Sequence, residues 1–202
     1  YATLRGDRPW HAAAMDYLAL GYDHILSGID HLLFVLGLML IVRDRKTLIK
    51  TITAFTIAHS ITLALATLGY ARAPLPPLNA AIALSILFLG PEIVRARRGQ
   101  TSLTIRYPWI VAFFFGLLHG FGFASGLSTT GMPAAELPLA LLFFNLGVEA
   151  GQVLFIALVL VGLASLRRLE LRLPRWADLV PTYALGSAAA FWFVQRLTLL
   201  AS

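Results

Sequence analysis

Two Asp-His pairs, Asp23-His24 and Asp30-His31, stand seven residues apart in the apolar run GYDHILSGIDHLLFVLGLMLIV that opens at Gly21. An ionisable group at bilayer depth costs about 2.5–3.5 kcal/mol on insertion scales, so four in one segment demand a use. Further along, His59 in FTIAHSITL, His119 in FGLLHGFGFA and Glu149 in FNLGVEAGQ lie in equally apolar surroundings. Imidazole and carboxylate together form the ligand set expected for divalent zinc, nickel, cobalt or iron. The chain has no cysteine, which excludes thiolate metal sites, disulfides and cysteine nucleophiles. A single membrane histidine is more often a helix-to-helix hydrogen bond than a ligand. Several histidines and two carboxylates at one depth, with no Lys or Arg expected beside them, would make an expensive scaffold if packing were their only role.

The elements that must position these groups are membrane helices. Of 202 residues, 58% are hydrophobic and 13% charged, a balance expected of a polytopic membrane protein rather than a soluble domain. Runs long enough to cross ~30 Å of hydrocarbon fall at 17–42, 48–69, 77–96, 109–127, 137–165 and 179–199. The expected fold is therefore all-α, a bundle of six transmembrane helices. Arg43, Arg45, Lys46 and Lys50 cluster in the first loop, Arg95, Arg97, Arg98 and Arg106 in the third, and Arg167, Arg168, Arg172 and Arg175 in the fifth. The positive-inside rule makes those loops cytoplasmic and both termini extracytoplasmic. Residues 1–16 then form an extracytoplasmic lead and 17–202 the transmembrane domain. The net charge of +6 is explained by this orientation, and nucleic acid is not an expected partner.

Depth follows by counting ~1.5 Å per residue from each helix end. His24 then lies roughly 10 Å down from outside, Asp30 and His31 about 20 Å, and His59 roughly 17 Å up from the cytoplasm. His119 and Glu149 fall about 15 Å and 18 Å from their own helix ends, so four spans bring an ionisable group near the midplane. In a continuous helix His24, Ser27, Gly28 and His31 share one face, as do Asn145, Glu149 and Gln152 in span five. Thr56, His59 and Ser60 form the polar face of span two. Glycines four apart, Gly116 and Gly120, Gly122 and Gly126, Gly147 and Gly151, are expected to let helices approach closely. His11 reads as solvated, Asp23 as an interfacial group, Ser85 as a serine bonded back to its own helix, and Glu92 as a partner for Arg95. GLSTTG gives only weak support to a serine hydrolase.

HILSGIDHLLFVLGLML, FTIAHSITL, IALSI, FGLLHGFGFA and FNLGVEAGQ resemble, in order and spacing, the HupE/UreJ family of bacterial membrane proteins. The likeness runs from about Gly21 to Gln152, and YALGSAAAFWFVQR fits the family's last span. It is greatest to the branch in which a signal peptide and an extracytoplasmic domain precede the membrane part. The resemblance implies an inner-membrane location, nickel uptake, and polar positions that fall on His24, Asp30, His31, His59, His119 and Glu149. Two features depart from expectation. Five residues separate His24 from Asp30, where nickel and cobalt permeases of another family have four, and early in span three only Asn79 stands near an expected acidic or amide position.

The resulting expectation is a divalent metal permease for nickel or cobalt. His24 would receive the ion from outside and pass it to Asp30, His31, His59, His119 and Glu149, with Ser27, Ser60, Asn145 and Gln152 available to orient the ligands. The alternative is an intramembrane zinc hydrolase acting on a lipid or membrane-embedded substrate, with Glu149 as general base. The expected partners are the metal ion and the bilayer, with an accessory extracytoplasmic domain or a small oligomer compatible with the same surface.

Overall fold

The computed structural model describes residues 9–128, 136–168 and 179–201, and within them every regular element is helical. The order is α1 (Trp10–Ser27), α2 (Ile29–Ile41), α3 (Arg45–Thr67), α4 (Leu75–Arg97), the single turn α5 (Leu103–Arg106), α6 (Pro108–Ser128), α7 (Leu137–Arg168) and α8 (Val180–Ala201). Each expected span from the second to the sixth meets one long helix, α3, α4, α6, α7 and α8, within a few residues at each end. The first span does not. It is broken at Gly28 into α1 and α2, which meet at 71°. The helix also begins at Trp10, so part of the expected polar lead is helical.

By length and apolarity α3, α4 and Leu137–Leu166 of α7 can each cross a membrane, and the bent pair α1–α2 is a fourth crossing if its two halves make one span. The protein is a multi-pass membrane protein. Its polarity is inverted relative to a soluble domain: Thr51, Thr56, His59, Thr62, Ser85, His119, Asn145 and Gln152 are buried, while Ile57, Leu158, Val161, Phe191 and Val194 face outward. Lipid solvates such an apolar exterior, and buried polar groups must then find partners within the bundle.

Three intimate helix pairs build the bundle: α1 on α7, α3 on α6 and α4 on α8, with α2 wedged among them. Glycine makes two of these contacts possible. A Cβ on Gly21 would collide with the Phe144 carbonyl of α7, and one on Gly147 of α7 with the Leu18 carbonyl of α1. Gly116 and Gly120 of α6 lie in the same way against the Phe55 and His59 carbonyls of α3. Backbones this close leave no room for side chains, as expected where lipid supplies no hydrophobic drive between helices. Below the histidines, Phe34, Val35, Leu38, Ile52, Phe55, Ile86, Leu89 and Ile93 form a continuous apolar core.

Local caps close the start of α3 and the end of α4. Asp44 caps α3, accepting from the Thr47 amide at 2.8 Å and its hydroxyl at 2.7 Å. The hydroxyl first, then the amide, hold the Asp44 carboxyl below its ordinary value, so the cap is fully present at neutral pH and lost as pH falls through the lowered value. Glu92, almost completely buried near the end of α4, pairs with Arg95 as expected and also accepts from the Ser102 hydroxyl that caps α5.

Candidate metal centre

The break in the first span creates the centre. Ser27 donates back to the Asp23 carbonyl at 2.6 Å, and Gly28 leaves the helix at φ −78°, ψ 87°. The carbonyl of Gly28 then starts α2 by accepting from the amides of His31 and Leu32 at 2.9 and 3.1 Å. A Cβ at Gly28 would stand 2.6 Å from His31 Nδ1 and 2.9 Å from the His24 carbonyl. The corner is thus tight because residue 28 has no side chain, and the His31 ring fills the space a Cβ would need. Gly28→Ala is expected to push that ring away and, if the ring is a ligand for nickel or cobalt, to weaken binding about tenfold, a loss of ~1.4 kcal/mol that chelator competition would register.

His24 from α1, His31 from α2 and His59 from α3 each direct a ring nitrogen into one space, with the three atoms within 4.8 Å of one another. Metal–imidazole bonds of about 2.0–2.1 Å hold neighbouring nitrogens roughly 3.4 Å apart in a tetrahedron, so modest ring rotations would close the set on an ion. His119 from α6 stands beside the trio, its ring centre 4.9 Å from that of His31, the same distance that separates His31 from His24. Phe34, Phe55 and Phe144 surround these rings and exclude water.

Hydrogen bonding fixes two tautomers. The Ser85 hydroxyl donates to the Ile82 carbonyl at 2.6 Å, so its oxygen is left to accept from His119 Nε2 at 3.2 Å. The Asn145 amide nitrogen donates to the Leu141 carbonyl at 2.7 Å, which turns its oxygen toward His59 Nδ1 at 3.4 Å. His119 Nδ1 and His59 Nε2 therefore carry bare lone pairs, and both are buried without a hydrogen-bond partner. Both nitrogens of His31, one of which carries the ring N–H, are likewise buried without a hydrogen-bond partner. Buried polar atoms without partners are uncommon, and an outer hydrogen bond that fixes one ring nitrogen while the other stays bare is how metal-binding histidines are held.

The other expected site residues are distributed differently. Asp30 does not point its carboxylate into the trio: Oδ2 accepts from Arg196 Nη2 of α8 at 2.7 Å. This corrects the expectation that no cation stands near the buried acids. Arginine reaches inward along its apolar stem from near the helix end. Glu149 accepts from the Thr53 hydroxyl at 2.6 Å and lines a 440 Å³ groove between α3 and α7. Of the four orienting residues, Asn145 touches a histidine, whereas Gln152 accepts from Thr56 at 3.1 Å. Ser27 and Ser60 each bond back to their own helix.

A family described as HupE / UreJ protein matches residues 2–196, a span that takes in every histidine of the cluster as well as Asp30, Glu149 and Arg196. The chain belongs to the HupE/UreJ family. No curated protein and no solved structure matches it.

In this HupE/UreJ protein, sequence reasoning missed Arg196 and underrated Ser85. Arg196 stands near the end of the last apolar run, where a basic residue reads as an ordinary interfacial group, and nothing in the sequence ties it to Asp30. Ser85 does bond back to its helix as expected, but its oxygen also holds His119.

Proposed function

We propose that this HupE/UreJ protein is a divalent metal permease of the bacterial inner membrane, with nickel or cobalt as its cargo. The observation that carries the reading is the convergence of ring nitrogens from α1, α2 and α3 at a break in a membrane helix. Broken helices place their ends at transport sites because free backbone groups there can meet an ion. The carboxyl end of α1, with its partial negative charge, lies at this corner beside the imidazoles. Nitrogen donors suit nickel and cobalt, and a site of few neutral ligands can release what it binds. The orientation is the one set by the basic loops, with both termini outside, the lead at 1–16 extracytoplasmic and six crossings over 17–202.

Elemental analysis of detergent-purified protein, followed by nickel and cobalt titration, tests the reading. Reversible binding of one ion that disappears in a His31→Ala, His59→Ala double variant is the expected result. No binding of either metal would sink it.

One observation favours the second reading, a zinc hydrolase. The groove between α3 and α7 opens sideways and carries Thr56, Ser60, Asn145 and Glu149 among apolar residues, as a membrane-embedded substrate would require. That reading predicts zinc retained through purification and chelator washing, near one equivalent, and lost in the same double variant.

A further inference from the structure

We infer that Arg196 is the resident counter-cation of Asp30, and that an arriving divalent ion displaces it and so unfastens α8 from α2 and α4. The inference rests on the metal reading of the histidine cluster and assigns to α8 a part in handling the ion.

Charge balance carries the inference. His24, His31 and His59 offer nitrogen donors and no negative charge, so an ion among them needs a carboxylate nearby in a medium that screens poorly. Asp30 adjoins His31 in the first turn of α2, and Glu149 is engaged by Thr53 of α3. Arg196 already neutralises Asp30, at 2.7 Å, with the two side chains 22% and 24% exposed. Breaking such a pair by removing one partner leaves a stranded charge and is strongly unfavourable. An incoming cation spares Asp30 that cost, because the carboxylate exchanges one positive partner for another, and the released guanidinium, near the end of α8, is left to solvent or headgroups at the membrane surface.

Arg196 is also a fastener. Its Nη1 donates to the Asn79 carbonyl in α4 at 2.9 Å while Nη2 holds Asp30, so one guanidinium ties α8 to the first turn of α2 and to α4. The joint beneath has room to move. A Cβ at Gly186 of α8 would meet nothing within 4 Å, and one at Gly90 of α4 only the Gly186 Cα at 3.9 Å. This contrasts with the backbone-tight contacts at Gly21, Gly116, Gly120 and Gly147. Of the three helix pairs, α4–α8 is the one whose glycine crossing leaves slack, and Arg196 is the clasp on it.

The absence of native cysteine gives a clean test, because a spin-label pair at Leu75→Cys on α4 and Thr198→Cys on α8 reports only the two labelled sites. Nickel affinity is measured by chelator competition on the full chain in detergent, with Arg196→Gln, Arg196→Lys and Asp30→Asn. Removing the competing cation should tighten binding on the order of tenfold in Arg196→Gln, and removing the carboxylate should weaken it by about as much in Asp30→Asn. Arg196→Lys keeps a point charge but not the two-armed bridge, and should stay near the unmodified affinity. Nickel should lengthen or broaden the 75–198 distance in the otherwise unmodified chain and leave it unchanged in Asp30→Asn.

Arg196→Gln binding no more tightly than the unmodified chain would overturn the inference, as would a 75–198 distance indifferent to nickel. If Arg196→Gln fails to fold, Arg196→Lys and the label distance decide. Failure of the unmodified chain to bind nickel or cobalt at all would remove the metal reading itself, an outcome distinct from binding without displacement.

Discussion

A His31→Leu chain should fold, melt at the same or a higher temperature than the unmodified protein when metal is absent, and lose its response to nickel and cobalt. Neither nitrogen of His31 has a hydrogen-bond partner, although both are shielded from solvent. An unsatisfied buried polar group costs about 1–3 kcal/mol, which leucine would not incur. With a shift of roughly 2–4 °C per kcal/mol for a chain of this size, the gain is measurable in a thermal melt. The opposite holds with metal present. A ligand at 100 times its dissociation constant stabilises by about 2.7 kcal/mol, and that increment should vanish with the ring. Melts of both proteins with and without nickel give four curves, and the expected pattern is a crossing of their order. A His31→Leu chain that is less stable without metal would instead return the histidine to a packing role.

Gly120→Val should destroy both the fold and the metal centre, by blocking the crossing of α3 and α6. The added Cβ would collide with the Thr62 hydroxyl and the His59 carbonyl. Overpacking a core ordinarily costs about 1–3 kcal/mol through shifted side chains, and the cost is greater here because backbone must move. Moving α6 also displaces His119, and moving α3 displaces His59. Gly162→Val is the control: it lies on α7 with nothing within 4 Å of the added atom and should behave as the unmodified protein. Monodispersity in detergent, together with nickel binding, reads both variants. Normal binding by Gly120→Val would show that the two helices are less tightly joined than their carbonyl contacts indicate.

The long helices were legible because each apolar run ends in basic residues, prolines or glycine, and those ends depend on local sequence. The spacing of Gly116 from Gly120 pointed correctly to a close helix contact for the same reason. The break at Gly28 was hidden, since hydropathy continues unbroken through ILSGIDHLL and a lone Ser-Gly step is compatible with a membrane helix. The consequence was instructive: His24 and His31 were expected on one face of a straight helix, yet they meet across a corner, 4.9 Å apart. The partner of Asp30 was illegible because it lies 166 positions away on another helix. Helical phase put Asn145, Glu149 and Gln152 on one face, and all three meet the same helix, α3, at His59, Thr53 and Thr56.

His24 belongs to the α1–α7 pair, while His59 and His119 belong to the α3–α6 pair. Each pair is welded by glycines set against opposing carbonyls, so neither can shear internally, and a movement between them opens or closes the angle of two stiff arms. Were an ion held there, the number of nitrogens around it would follow that angle. On the permease reading, spreading the arms would subtract His24 while His59 kept its place, so ligand loss and helix motion would share a single coordinate, with no separate gate to be timed to the release of the ion.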